Sequence, residues 1–424
     1  MFIFKILMTS VVTFFVYLNC VMADDLEDRV KELEAKLAEL QNKGSESSDN
    51  ASGSTKIYGN EFNPSIGIIL NGRYNNFSAK TSEMPGFARG EEGERGREGI
   101  LIDESELNFS SFIDDKFYGS LTAAIVREDG SDKVELEEAY IQTTPDFNFP
   151  TGMSLKAGRA FWTLGYLNEH HVHADDFADR PLPYGVYLNK GFNDDGAEIT
   201  YLLPIDYYAE IGGGVFRGDD FPMGGADGES FGGFSTFARI GGDIDQNQNW
   251  RIGAYYVNGK NPSGRKGNED AITFKGDSDL YVADFRYTAA PTGNSREREY
   301  ILQGEFFARN EDGTYNTGSG DKTFNGTSYG WYAQGIVKYN ARWRSGIRYS
   351  QMEAPGVPTA LIGTDLDSKG FDPHSVSIMT DWTNSEFSRI RWQFNREELS
   401  SGVSDNQYII QYIVSIGAHG AHKF

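Results

Sequence analysis

Three of the chain's six histidines, His170, His171 and His173, fall within four residues, and Glu169, Asp175, Asp176 and Asp179 flank them. Imidazole nitrogens mixed with carboxylate oxygens suit Zn²⁺, Cu²⁺ or Ni²⁺. The spacing lacks the i, i+4 histidine pair of a helical zinc site, so two readings stand. In one, Glu169, His170, His171, His173, Asp175 and Asp176 are metal contacts. In the other, they pin a loop through hydrogen bonds to backbone and carboxylates. His419 and His422 are three apart on an extended segment, so they point to opposite faces and do not share an ion. The only cysteine, Cys20, lies in an apolar leader, which leaves the mature chain without disulfide, thiolate metal site or cysteine nucleophile.

A second group of chemically active residues recurs on alternate positions. Arg251, Arg286, Arg344, Arg348, Arg389 and Arg391, with Glu104 and Glu106, occupy the polar faces of segments whose other faces are apolar. Arg239, Glu198, Glu210, Asp284 and Glu305 follow the same rule. Lining a pore, such rows create a transverse field that passes polar solutes and repels apolar ones; paired, they stiffen the wall. The runs of lumen Arg and Lys that an anion pore needs are missing. No Gly-x-Ser-x-Gly elbow accompanies His170 and Asp176, so the chain does not read as an enzyme. The glycines at 212–214 and 318–320 are not followed by Lys-Ser/Thr and a helix, so they are not phosphate loops.

The elements that must position these residues follow from composition and period. Of 424 residues, 39 are Lys or Arg and 62 are Asp or Glu, a formal charge of -23. That balance excludes a nucleic-acid partner, which needs basic surface. A mean hydropathy of -0.49 excludes a helical membrane bundle. It fits a membrane barrel, whose strands alternate lipid-facing apolar with lumen-facing polar residues. Residues 1–23 read as a signal peptide, with Lys5, an apolar run from Ile6 to Leu18 and Val21-Met22-Ala23. In 24–43, Leu26, Leu33 and Leu40 recur every seven residues with Val30 and Leu37 between them, a short coiled-coil helix. Residues 44–56 are a flexible Ser/Gly/Asn linker, and 57–424 form the barrel.

From Lys56 onward period-2 alternation dominates. Trp250, Ile252, Ala254 and Tyr256 share one face; so do Trp331, Ala333, Gly335, Val337 and Tyr339; so do Val376, Ile378, Thr380 and Trp382; and Ile390, Trp392 and Phe394 oppose Arg389, Arg391, Gln393 and Asn395. Sixteen such segments are expected between 63 and 424, with long connections near 78–99, 127–132, 162–194, 218–231, 261–275, 310–327, 353–372 and 399–405, and short ones such as Asp114-Asp115 and Asn340-Ala341 between them. Short turns alternating with long loops are the rhythm of an outer-membrane barrel. The fold class is therefore all-β: a 16-stranded antiparallel transmembrane barrel preceded by a short coiled-coil helix. The last segment places Tyr408, Ile410, Tyr412, Val414, Ile416 and the terminal Phe424 on one face.

That terminal strand resembles the C-terminal signal read by the outer-membrane assembly machinery. The chain as a whole resembles Gram-negative 16-stranded porins. Its Leu/Glu heptads followed by a barrel are similar to many members of the phosphate-selective porin superfamily. The segments Tyr166–Phe177 and Asp179–Tyr184 resemble a group of uncharacterised proteobacterial outer-membrane proteins, some labelled zinc-regulated or TonB-dependent receptors. The resemblance implies an outer-membrane location, a third external loop (162–194) folded into the pore, association into homotrimers, and contact with lipid and lipopolysaccharide. A TonB-dependent receptor would have about 22 strands and a plug, which a helix and linker do not supply. The expected function is passive diffusion of small hydrophilic solutes, with divalent metal ions such as zinc among them. No cofactor is required, and any Zn²⁺ contact is weak. The alternatives are a metal-binding receptor and a structural or adhesin barrel without conductance.

Overall fold

A computed structural model describes residues 64–128, 131–228 and 231–417. The signal peptide, coiled-coil helix and linker of the sequence reading, and His419, His422 and Phe424, lie outside the described residues.

Sixteen antiparallel staves form one closed sheet. They are β1 (Ser65–Phe77), β2 (Gly99–Ile102 continued by Ser105–Phe112), β3 (Phe117–Glu128), β4 (Ser131–Thr143), β5 (Met153–Phe161), β6 (Asn193–Leu202), β7 (Tyr208–Phe216) and β8 (Gly233–Asp245). The ring continues with β9 (Gln248–Lys260), β10 (Ile272–Ala289), β11 (Glu299–Asn316), β12 (Asp321–Lys338), β13 (Trp343–Glu353), β14 (His374–Ser385), β15 (Ser388–Ser400) and β16 (Val403–Gly417). A short strand, Arg265–Gly267, pairs with the start of β10 inside a loop. Pairing of β1 with β16, from Gly67↔Gly417 to Phe77↔Gln407, closes the ring. Closure satisfies the backbone N–H and C=O groups that an open edge would leave bare in lipid.

The two faces invert the order of a soluble protein. Ile347 and Ile378, opposite each other on β13 and β14, are 56% and 52% exposed, while Asp381 and Arg391 are 0% exposed. Ile378 pairs with Phe394, and Phe394 with Tyr408, so the apolar row continues across the outside. Toward the short-turn end Trp343 pairs with Trp382. Toward the other end Tyr256 meets Tyr281 at 5.0 Å and Trp331 meets Tyr349 at 5.3 Å. An apolar band between aromatic belts is the surface of a transmembrane barrel. Ile378→Arg, at mid-strand in that band, is expected to destabilise the barrel by about 2–4 kcal/mol. Urea unfolding in lipid vesicles measures it.

The short turns are set by Asx side chains. Asp114 Oδ1 accepts the Lys116 and Phe117 amides at 2.8 and 2.9 Å, and Asn340 Oδ1 those of Arg342 and Trp343 at 2.9 and 3.0 Å. The even number of staves places both ends of the sheet on this side. At the opposite end two expected loop lengths are corrected. The long loop expected at 310–327 is strand up to Asn316 and again from Asp321, leaving only 317–320 as a turn. Charged positions such as Asp312 do not end a strand there, because beyond the lipid both faces can be polar. The connection expected at 399–405 likewise shrinks to residues 401–402.

Candidate functional site

The connection between β5 and β6, residues 162–192, is folded into the barrel. Its first part carries two 3₁₀ turns, Leu167–Glu169 and Val172–Ala174, and its second a short helix, α1 (Leu182–Tyr187). Pro181 and Pro183 fix φ where α1 begins. Trp162, Leu164, Leu167, Tyr184, Val186, Tyr187, Leu188 and Phe192 are buried against inward-pointing Phe237, Tyr255, Val257, Leu280, Phe307, Tyr332 and Met352 of the wall. The apolar patch that docks the loop is thus built from strand residues on the polar face. The loop 78–98 meets it closely. A Cβ on Gly93 would lie 2.1 Å from the Gly185 carbonyl oxygen, so that position requires glycine.

Polar bonds fix the loop's path. Asn168 closes its neck, donating to the Trp162 and Phe192 carbonyls at 2.7 and 3.1 Å and accepting from the Phe192 amide at 2.6 Å. Glu305 of β11 is a staple. Its Oε1 accepts from the Tyr166 and Leu167 amides and the Tyr332 hydroxyl at 2.9, 3.0 and 2.9 Å, and its Oε2 from Tyr184 at 2.9 Å. Arg180 braces the loop internally, reaching Asp175 at 3.0 Å and the Lys190 and Leu167 carbonyls at 2.7 and 2.9 Å.

The six expected metal contacts do not converge. Glu169 pairs with Arg239 and with Arg251, the latter at 3.3 Å. His170 Nδ1 lies 3.1 Å from the Tyr166 carbonyl oxygen. Asp175 pairs with Arg180 and Asp176 with Arg344. Burial opposes ionisation of Asp176, but Arg344 and Arg286 outweigh it and hold its carboxyl below the usual range. Only His171 and His173 share a partner, Glu106 of β2, at 3.2 and 2.7 Å. His171 also meets Glu137 at 3.3 Å and Glu138 at 3.1 Å, both on β4. Burial alone would depress its pKa, but these carboxylates outweigh burial and raise it well above the ordinary histidine value.

The charged lumen residues turn toward the loop. Arg251 and Arg286 cover the Tyr166 ring at 4.8 and 4.2 Å. Arg348 and Asn395 hold Asp179, and Arg389 and Arg391 donate to the His173 and Asp175 carbonyls at 2.7 Å each. Glu104 pairs with Lys190. The loop therefore bonds to staves on opposite sides of the ring, from β2 and β4 through β8, β9 and β11 to β13 and β15.

Glu137 and Glu138 were not among the residues singled out by sequence. A β-bulge hides them: Thr122 pairs with Glu138 and Ala123 with Leu136, so Glu137 is the extra residue and two consecutive side chains point inward. Gly158, φ 130°, sits against this bulge, where a Cβ would lie 2.2 Å from the Ala139 carbonyl oxygen. The run Glu135, Glu137, Glu138 within a single strand was the available signal.

No family model matches the chain. An uncharacterized protein of Aquifex aeolicus is 28% identical over 393 residues, 86% of this chain and 80% of its own. In fold the chain is similar to OmpT of Vibrio cholerae, an outer membrane protein, in its trimer form (TM-score 0.50, 10% identity, 83% of this chain and 99% of that one). It is also similar to the outer membrane channel DcaP of Acinetobacter baumannii (TM-score 0.51, 12% identity, 83% and 97%). A third likeness is OmpF of Salmonella typhi in complex with daunomycin (TM-score 0.50, 13% identity, 84% and 99%). The shared feature is the closed 16-stranded antiparallel barrel, and with its apolar exterior the chain is an outer-membrane protein.

Proposed function

We propose that the chain is an outer-membrane porin for passive diffusion of small hydrophilic solutes. The observation that carries the reading is the inward loop 162–192 spanning a lumen whose wall is charged at Arg251, Arg286, Arg344, Arg348, Glu104 and Glu106. A rigid constriction inside a hydrophilic wall selects by size and charge. The formal charge of -23 favours cations over anions. Divalent transition metals such as zinc are the cations best matched to the imidazole and carboxylate groups of the constriction. A homotrimer in lipid and lipopolysaccharide is proposed with this reading, supported by the trimer form of Vibrio OmpT.

One observation favours a second reading, a barrel without conductance. Bonds from the loop to opposite walls leave Gln334, Asn395, Gln411 and Arg391 almost wholly buried, so part of the lumen is dry. Planar-bilayer recording of the full mature chain in KCl decides between them. The porin reading expects stepwise, ohmic currents and, across a salt gradient, a reversal potential of the sign set by cation flow. Reconstituted, folded protein that passes no current sinks it.

A further inference from the structure

We infer that Glu106, Glu137 and His171 bind one divalent transition-metal ion at the point where the loop 162–192 meets β2 and β4. This deepens the porin reading, on which the ion's role in passage rests; the binding itself does not need conduction. One ligand atom from each of the three residues lies within 4.8 Å of the others. His171 Nδ1 is 3.2 Å from Glu106 Oε1 and 3.3 Å from Glu137 Oε2. Metal bonds of about 2.0–2.1 Å at tetrahedral angles set neighbouring ligand atoms about 3.3 Å apart. The two edges that meet at Nδ1 therefore already have the length of such a tetrahedron.

Independent observations point to a ligand here. Glu106 is 2% exposed, and its second oxygen, Oε2, accepts no hydrogen bond. A buried carboxylate oxygen left in that state is costly unless a proton or a cation answers it. Charge agrees: Glu104, Glu106, Glu137 and Glu138 crowd the site, against Lys190, which pairs with Glu104, and Lys156 near Glu138. A divalent cation answers that surplus.

The surroundings orient the ligands. Glu138 Oε2 lies 3.1 Å from His171 Nε2, so the Nε2 proton is held by Glu138, and an ion that displaces the Nδ1 proton meets the Nδ1 lone pair between Glu106 and Glu137. A carboxylate holding the far nitrogen of a liganding imidazole is the usual support of such a histidine. His173 Nδ1, 2.7 Å from Glu106 Oε1, orients that carboxylate in turn. The bulge at Glu137 lets two adjacent β4 residues serve as ligand and support at once. One imidazole and two carboxylates suit zinc, cobalt or nickel better than calcium, which takes six to eight oxygens.

The test is zinc titration of the untagged, mature chain in detergent by calorimetry, in a His419→Ala, His422→Ala background that removes the two histidines of the C-terminal segment. One Zn²⁺ per chain is expected, and Co²⁺ in its place should show the visible absorption of a four-coordinate site. Glu106→Gln and His171→Ala should abolish both signals. Glu138→Gln should weaken binding about 10- to 100-fold. His170→Ala, whose ring lies on Tyr166, should leave binding unchanged. Heat-modifiable gel mobility reports folding, and should Glu106→Gln fail to fold, Glu137→Gln takes its place. No Zn²⁺ bound by the wild type, or unchanged binding by folded Glu106→Gln or Glu137→Gln, overturns the site. Conductance measured on the same protein separates the two claims. A conducting chain that binds no metal refutes the site alone. A metal-binding chain that passes no current refutes the porin reading alone.

Discussion

Replacing residues 167–187 with a short Gly-Ser linker is expected to raise single-channel conductance several-fold while leaving the barrel folded. The loop's bonds span the lumen, from Glu106 and Glu138 on one side to Arg344, Arg348 and Arg391 on the other. Its removal takes the mass of α1 and both 3₁₀ turns out of the path, and conductance follows cross-section at the narrowest point. The stave ladders do not depend on the loop, since each stave pairs with both neighbours. The cost falls on inward Tyr255, Phe307, Tyr332 and Met352, which lose their apolar cover, so unfolding should shift to lower urea. Glu305→Ala is the milder form of the same experiment. It strips one acceptor from two amides and two tyrosine hydroxyls, each left buried at about 1–3 kcal/mol. It should loosen the loop and add current noise without the full rise in conductance. If the deletion variant folds and conducts as the wild type does, the loop does not set the constriction.

The barrel was legible because lipid on one side and polar contacts on the other impose a strict period of two. The assignment of Trp250, Trp331, Ile378 and Trp392 to the outside and of Arg251, Gln334, Asp381 and Arg391 to the inside needed only that period. Turns at Asp114 and Asn340 were legible because their side chains cap the turn locally. What failed had a different physics. Asp176 and Glu169 looked available for a metal, but their arginine partners lie on staves far away in sequence, and alternation says which way a side chain points, not what it meets. Glu137 and Glu138 escaped because a bulge breaks the period. The extra length of β11 and β12 escaped because charge marks a loop only within the thickness of lipid.

Asp381→Asn is expected to cost the barrel about 3–5 kcal/mol, as removal of one partner from a buried ion pair does. Asp381 is fully buried on β14. Arg344 Nε donates to both its oxygens at 2.9 Å, and Arg391 and Arg389 approach at 3.6 and 4.0 Å. Three guanidinium groups, Arg344, Arg389 and Arg391, thus gather on Asp381, and Arg344 also pairs with Asp176. Asparagine keeps the shape and removes the charge on which the three guanidinium groups converge. Arg389 and Arg391 keep their bonds to the His173 and Asp175 carbonyls, so the loop should stay docked while the wall beneath it weakens. Urea unfolding in lipid vesicles, followed by tryptophan fluorescence, reads the loss. Adding Arg391→Gln should recover about 0.5–3 kcal/mol of it, the coupling expected of groups in one network. A loss below about 1 kcal/mol in the single variant, the range of solvated surface pairs, would mean that water reaches this knot and that the lumen is open along β13–β15.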